Sequence, residues 1–188
     1  MGLVNGMSRS KARTVMGIDS STQSLAFAVF SGQRLIKFGK INFEGNTSYE
    51  RLADSLHKIE SLSNEFDVDY IAIEKAIMVR STGTAIKLGM AIGVIIAAVL
   101  KSGTEVVEVA PIQWQSYIGN KNYNATQKAA IKKKFPGKSV SWYKEYIREQ
   151  RKLSTINFFN KKFKLKNQDN DVADAMGVGW YAVKELTE

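Results

Sequence analysis

The chain of 188 residues has no cysteine, two prolines and one histidine. Without cysteine it can form no disulfide, no thiolate metal site and no thiol nucleophile, which fits a reducing compartment. The single histidine, His57, lies within a predicted helix and is remote in sequence from Asp19, Glu74, Asp171 and Asp174. We therefore interpret His57 as a structural residue at the surface or boundary and not as a catalytic base.

A long hydrophobic run is also missing. Residues 88–100 carry no charge over 13 positions, and as a helix they would span about 20 Å, short of the roughly 30 Å of a bilayer core. We expect a helix buried on all sides within the core, with a dimer interface as the second interpretation. Residues 1–13 show no secretory signal and no myristoylation motif and are predicted to be a flexible tail. The resulting expectation is a cytoplasmic protein with one domain over residues 14–188.

Acidic residues are scarce in one third of the chain, residues 111–168. This stretch holds fourteen lysines and arginines against two glutamates, a net charge of +12, whereas the rest of the chain sums to −3. Ten aromatic residues are interleaved with the basic ones. Such a segment indicates a nucleic-acid surface, with a merely soluble basic face and core aromatics as the alternative. We assign it to a basic helical segment at 120–166 within the single domain.

The apolar patterns predict the order of secondary structure. Strands are predicted at residues 14–19, 25–30, 34–43, 70–74 and 105–109. Helices are predicted at residues 49–66, about 84–100, 124–135, 142–159 and from 171 onwards. The first three strands are typical of an antiparallel meander, and the helix–strand units that follow indicate parallel strands. The chain is therefore predicted to be an α/β domain with a mixed sheet.

Two acidic residues lie at the start of the last predicted helix. Asp171 and Asp174 are three residues apart, so their side chains share one face of a helix that continues with apolar residues. One interpretation is helix-start chemistry, because aspartate caps helices and suits their first turn. The other is a cation between the two carboxylates, which would otherwise repel each other. Asp169, just before the pair, is interpreted as a cap or loop residue, with a ligand role as the alternative.

Two further acids, Asp19 and Glu74, end predicted strands. Functional groups gather at the carboxyl ends of strands in α/β sheets, so neighbouring strands would bring these acids together with Asp171 and Asp174. Four carboxylates without histidine or cysteine suit Mg²⁺ or Mn²⁺. Two such ions form the clamp used for in-line displacement at phosphorus. A two-metal site of this kind beside a basic surface predicts phosphodiester cleavage in a nucleic acid.

Several motifs resemble those of one nuclease family. They are Gly-Ile-Asp at 17–19, Ala-Ile-Glu at 72–74, the helical stretch 78–94, Glu-Val-Ala-Pro at 108–111 and Asp-Val-Ala-Asp-Ala at 171–175. In this order they resemble the RuvC-type Holliday junction resolvases, which belong to the RNase H-like (retroviral integrase) superfamily. The resemblance covers about residues 14–128 and 167–186.

The resemblance implies an RNase H-like α/β fold: a five-stranded mixed sheet, with a three-strand antiparallel meander plus two parallel strands, flanked by helices. It implies a homodimer that binds four-way DNA junctions and nicks two opposed strands symmetrically, with the long apolar helix contributing to the dimer interface. Asp19, Glu74, Asp171 and Asp174 would be catalytic and would bind two Mg²⁺ ions per active site. Mn²⁺ would substitute for Mg²⁺, and water would be the nucleophile.

Departures from the family pattern concern the DNA-binding residues. Ile77 stands near a position where the family often has an aromatic residue that helps to open the junction. Gln115 stands where a lysine is common, so Lys121 or Lys128 would substitute. Residues 137–166 form a longer segment than the bacterial pattern and are predicted to extend the DNA-binding surface. The predicted DNA contacts are Ile77, Arg80, Lys121, Lys128, Lys132, Lys133, Arg148 and Arg151.

Other functions stay open on the sequence. The same fold could serve a flap or branched-DNA endonuclease or an RNase H, and a junction-binding protein with a structural metal is a non-enzymatic alternative. Residues 17–24 also resemble the first phosphate loop of sugar kinases in the actin-like superfamily. A phosphotransferase of that type needs two such domains and a later Gly-rich nucleotide loop, for which this chain is too short and shows no motif.

Overall fold

A five-stranded mixed sheet forms the centre of the computed structural model, which describes residues 12–75, 81–100 and 103–187. The strands are β1 (Thr14–Ser20), β2 (Ser24–Ser31), β3 (Arg34–Asn42), β4 (Tyr70–Glu74) and β5 (Glu105–Val109). Their order is β3-β2-β1-β4-β5. β2 is antiparallel to β1 and β3, whereas β4 is parallel to β1 and β5. The predicted meander plus two parallel strands is therefore confirmed. Residues 1–11, Ile77 and Arg80 lie outside the described residues.

Six helices occur in the described ranges and flank the sheet. They are α1 (Ser48–Phe66), α2 (Thr82–Leu100), α3 (Pro111–Tyr117), α4 (Ala125–Lys134), α5 (Val140–Phe163) and α6 (Asn170–Thr187). α1 begins at a capping box in which Thr47 and Glu50 exchange hydrogen bonds between side chain and backbone. The seven-residue α3 is shorter than sequence periodicity can reveal; it begins with Pro111, which suits the first helical position. His57 is exposed on α1, as expected.

Strand side chains alternate between the two faces of the sheet and build two cores. On one face, Val15 and Ala72 pack with residues of α3, α5 and α6. On the other face, the intervening strand residues pack with α1 and α2. Because residues two apart share a face of a strand, Asp19 lies on the same side as Val15, and Glu74 on the same side as Ala72. Both acids therefore face α6.

α6 lies directly on β1 at two glycines, Gly17 and Gly179. A Cβ atom on Gly17 would lie 2.3 Å from the carbonyl oxygen of Ala175 and 2.4 Å from the backbone nitrogen of Gly179. These distances are far shorter than van der Waals contact, so only glycine lets the two backbones come this close. The contact holds the first turns of α6, and with them Asp171 and Asp174, against the end of β1.

α2 is less buried than its apolar sequence predicts. Its buried residues are Ala91, Ile95, Ala98 and Val99, and the last three belong to the core shared with α1. The opposite stripe is apolar but exposed and consists of Ile86, Gly89, Met90, Gly93, Ala97 and Leu100. The expectation that the domain buries this helix on all sides is wrong, because the sheet and α1 cover only one side of it. Length and composition alone would also allow α2 to cross a membrane, but its packed face makes it part of this domain.

Candidate functional site

The first two predicted acids lie on neighbouring parallel strands. Ile18 of β1 pairs with Ile73 of β4, so the residues that follow, Asp19 and Glu74, stand side by side where the two strands end. Both side chains are partly buried. The strand order thus brings these acids together at the carboxyl ends of the strands, as expected.

Asp171 and Asp174 lie in the first turns of α6. The helix is capped by Asp169, whose Oδ1 accepts hydrogen bonds from the backbone nitrogens of Asp171 at 2.8 Å and Val172 at 3.2 Å. Capping is therefore the role of Asp169, as predicted, and not of the pair that follows. The Asn170 side-chain amide donates a long hydrogen bond of 3.4 Å to Asp174 Oδ2.

Burial and repulsion from neighbouring acids raise the pKa values of two of the four carboxylates. Burial raises the pKa of Asp19 to about 8, and repulsion from Asp174, Glu74 and Asp171 adds to the rise. Burial raises the pKa of Asp174 to about 7, with repulsion from Glu74 and Asp171 as the further cause. Because the acids act on one another electrostatically, and because Asp19 and Glu74 end neighbouring strands that α6 packs against, the four acids lie near one another at this end of the sheet.

Trp114 of α3 forms one wall of this site beside Glu74. Burial raises the pKa of Glu74, and the indole N–H of Trp114 partly offsets the rise. Among the described residues this buried N–H has no partner of regular hydrogen-bond geometry, so its effect on Glu74 is that of a nearby dipole. α3 therefore contributes both the packing and part of the polarity around Glu74.

Asp171 differs from the other three acids because a lysine binds it. The ammonium nitrogen of Lys40 lies 2.5 Å from Asp171 Oδ2 and 3.4 Å from Asp169 Oδ2. This hydrogen bond lowers the pKa of Asp171. Lys40 was not among the residues predicted from sequence, since it lies in β3 and only the strand register shows its place. It pairs with Ala26, which pairs with Asp19, so the three residues form one row across the sheet.

The raised pKa values predict how the stability of the metal-free protein depends on pH. A carboxyl group whose pKa is about 3.8 when unfolded and about 8 when folded, as at Asp19, binds its proton more tightly in the folded state. It stabilises the fold below pH 4, and this contribution is lost as the pH rises to about 8. In EDTA, Asp19→Asn should therefore lose less thermal stability than the wild type between pH 5 and pH 9. Parallel melting-temperature curves for the two proteins would contradict this expectation.

The donor set fits a hard divalent cation. Among residues 12–75, 81–100 and 103–187, no three His, Cys, Asp or Glu side chains converge as closely as the ligands of a bound ion. The acids nevertheless offer only carboxylate oxygens, which Mg²⁺ and Mn²⁺ prefer. Burial and repulsion from neighbouring carboxylates raise the pKa values of Asp19 and Asp174, and a bound cation would relieve the repulsion. The residues therefore suit a metal, although Asp171 is engaged by Lys40.

A cavity of about 610 Å³ adjoins Asp171 and Asp174. Five cationic residues line it: Lys128, Lys144, Arg148, Arg151 and Lys152. Four of the five lie on one face of α5, and this i, i+4, i+7, i+8 spacing is a signal that the sequence contains. The structure thus brings Lys128, Arg148 and Arg151 of the predicted DNA contacts to the acids. The lining does not include Lys121, Lys132 or Lys133, and sequence reasoning missed Lys144 and Lys152.

Arg151 is held in place at the wall of this cavity. Its Nη2 donates to Gln115 Oε1 at 2.5 Å and to the carbonyl oxygen of Asn120 at 3.3 Å. The buried Asn120 in turn donates to the carbonyl oxygen of Arg151 at 2.9 Å and to Thr155 Oγ1 at 2.8 Å. The charge of Arg151 thus stands beside Gln115, whereas the substitution of the family lysine by Lys121 or Lys128 stays a prediction.

Aromatic residues of the basic segment pack mainly on one another. Ring centroids of Phe135, Trp142 and Tyr146 lie 5.1 to 5.3 Å apart, and the cluster joins the end of α4 to the start of α5. At the other end of α5, Phe159 and Phe163 stack, and Phe163 contacts Trp180 of α6. These aromatics orient the basic face of α5 toward the acids, which is a different use from base stacking.

Sheet order, helix arrangement and the four acids define the chain as an RNase H-like α/β protein with a carboxylate site. The family model described as "Crossover junction endodeoxyribonuclease RuvC" matches residues 15–135. The chain belongs to the RuvC family, whose members are hydrolases acting on DNA.

Individual relatives support this assignment. A crossover junction endodeoxyribonuclease RuvC from Cytophaga hutchinsonii is 30% identical over 172 residues, which are 88% of this chain and 74% of the relative. One from Porphyromonas gingivalis is 30% identical over 131 residues, 66% of this chain and 69% of the relative. The structure of Thermus thermophilus RuvC in complex with a Holliday junction substrate covers 93% of this chain and 96% of its own, with a TM-score of 0.67 and 17% identity. That likeness shows the shared fold.

Proposed function

We propose that this protein is a Holliday junction resolvase that places paired, symmetric nicks in four-way DNA junctions by metal-dependent hydrolysis. The observation that carries the proposal is the union of four carboxylates at one end of the sheet with a cavity lined by five cations. Acids hold metal, and cations hold the phosphates of DNA. The family's activity and the junction bound by the Thermus thermophilus relative support it. A DNA substrate places the enzyme inside the cell, and we propose the cytoplasm.

Asp19, Glu74, Asp171 and Asp174 are the residues that would hold the metal. When bound, two Mg²⁺ ions, or Mn²⁺ in their place, would supply activation of water and stabilisation of the leaving 3′ oxygen. The protein orients these acids by the parallel register of β1 and β4 and by the close contact of α6 with β1. Arg151, fixed by Gln115, would hold a backbone phosphate beside them.

Cleavage of three substrates tests the proposed function. A four-way junction, a 5′ flap and a linear duplex of the same sequence are compared in Mg²⁺. We expect paired nicks at symmetric positions in the junction and at least about tenfold slower cleavage of the other two. Equal or faster cleavage of the flap would favour a branched-DNA endonuclease of the same fold. Cleavage of the linear duplex at the same rate as the junction would contradict the proposal of a junction-specific enzyme.

Arg148 is predicted to contact DNA at the mouth of the cavity. Its side chain is 65% exposed, and its ion pair with Glu145 is loose, at 3.7 Å. Arg148→Glu should weaken junction binding by about five- to tenfold and reduce the slope of log K against log salt by about 1. Titrations at several salt concentrations measure both. Arg34→Glu at the far end of β3 is the matched control for net charge, and equal losses in the two variants would show that only net charge matters.

We further propose that two copies pair through the exposed apolar stripe of α2. The stripe runs the length of the helix, and Gly89 and Gly93 within it leave space for a second backbone. A two-fold enzyme also suits a substrate with two opposed strands to cut. The family resemblance implies the same homodimer.

Met90→Glu tests this interface, because it places a charge in the middle of the stripe. We expect the wild type to sediment as a dimer and Met90→Glu to dissociate at micromolar concentrations, with a loss of at least about 3 kcal/mol of association free energy. Leu153→Glu on α5 is the control, since Leu153 is also an exposed hydrophobic residue but lies outside the stripe. A monomeric wild type would exclude this dimer.

A further inference from the structure

Lys40 reaches the acidic site from the edge strand of the sheet. It stands in the row Asp19–Ala26–Lys40 across β1, β2 and β3, on the face that packs against α6. From there its ammonium contacts Asp171 at 2.5 Å and Asp169 at 3.4 Å. Its positive charge also acts on Asp19. The charge of Lys40 thus acts on acids at the start of α6 and on the acid at the end of β1.

This contact is more than a surface ion pair. The side chain of Lys40 is 30% exposed, and it bridges two acids rather than one. The first of them, Asp171, is proposed as a metal ligand, and the hydrogen bond occupies its Oδ2. An ammonium nitrogen and a divalent cation, which needs about 2.0–2.1 Å to oxygen, cannot occupy the same side of one carboxylate oxygen. Lys40 therefore excludes a metal from that side of Oδ2, and it opposes a metal at the other lone pairs of the carboxylate by like-charge repulsion.

We propose that Lys40 is an internal cation that neutralises Asp171 in the metal-free protein and opposes the binding of a divalent metal there. The inference rests on the proposed metal site. Lys40 then lowers the metal affinity of the site. Its charge lessens the repulsion among the four acids, and it opposes loading of the ion by competition and by like-charge repulsion. Lys40 is a positioning residue that does not itself touch the reacting atoms.

The opposite role for Lys40 gives the opposite result. If the lysine only pre-aligned Asp171 for the metal, its removal would leave the carboxylate less ordered and would weaken metal binding. If it were a surface ion pair without connection to the site, its removal would leave metal binding unchanged. The direction of the change in affinity therefore separates the three roles.

Calorimetric titration with Mn²⁺ at fixed ionic strength tests the proposal on DNA-free protein. Lys40→Met should bind Mn²⁺ about three- to tenfold more tightly than the wild type, and Lys40→Arg, which keeps the charge, should stay near the wild type. Lys37→Met is the matched control: Lys37 lies on the same strand but pairs with Glu65 of α1 at 2.9 Å. Its affinity for Mn²⁺ should equal that of the wild type.

Two results would overturn the role of Lys40 alone: saturable Mn²⁺ binding that is equal in the wild type and Lys40→Met, or binding that is weaker in the variant. Absence of saturable Mn²⁺ binding in the wild type would instead overturn the metal site, and the role of Lys40 with it. Tighter binding in Lys37→Met to the same extent would also count against the proposal, because it would reduce the effect to net charge.

Discussion

An Asp174→Asn variant should cut four-way junctions at least about 10³-fold more slowly than the wild type and bind them equally or more tightly. The substitution removes one carboxylate of the proposed metal site but keeps its shape and its contact with Asn170. It also removes a negative charge beside the phosphates of DNA, which favours binding. Single-turnover rates in Mg²⁺ and affinities in EDTA measure the two effects separately.

Asp54→Asn is the control for this variant. Asp54 lies on α1, packed on the other face of the sheet, where it forms an ion pair with Lys58 at 2.9 Å. The same change of charge there should alter cleavage by less than about twofold, because the partners of Asp54, the Lys58 ammonium and the backbone nitrogen of Glu44, lie away from the four acids. Retained cleavage in Asp174→Asn would refute the assignment of the catalytic site, and joint loss of cleavage and binding would indicate a damaged fold.

The sheet and its four acids could be predicted because the signals are local. Strand runs end at Asp19 and Glu74, and parallel neighbours bring such ends together whatever lies between them in the chain. Asp171 and Asp174 are placed by helical spacing, and the register of β1 and β4 then completes the set. The capping ambiguity at the start of α6 was resolved by geometry alone, because the hydrogen bonds show that Asp169 holds that role.

Residues that act across the sheet could not be predicted. Lys40 is separated from Asp171 by 131 positions, and nothing in the local pattern of β3 distinguishes it from Lys37, which faces the opposite side. Arg151 reaches Gln115 only because the aromatic cluster and Asn120 orient α5. The exposure of α2 also escapes a sequence argument, since apolar composition shows that a helix needs a cover but not whether the same chain provides it.

The second large effect is expected for Gly17→Ala, which should lower the free energy of unfolding by about 3 kcal/mol. Its Cβ would lie 2.3 Å from the carbonyl oxygen of Ala175, and backbone atoms cannot move aside as a flexible side chain can. α6 would have to lift off β1, carrying Asp171 and Asp174 away from Asp19. Cleavage should therefore fall even at temperatures where the variant is folded. Denaturant unfolding and junction cleavage at 20 °C measure the two losses.

Gly83→Ala makes the same chemical change without the contact. Gly83 lies in the first turn of α2, and within the described part of the chain a Cβ there would meet no atom within 4 Å. Alanine in a helix is favoured over glycine by about 0.5–1 kcal/mol, so this variant should be as stable as the wild type or slightly more stable. An unfolding midpoint of Gly17→Ala equal to that of the wild type would mean that α6 does not rest on β1. Another contact would then have to hold Asp171 and Asp174 near Asp19, because the glycine contact is what places the start of α6 at the end of the sheet.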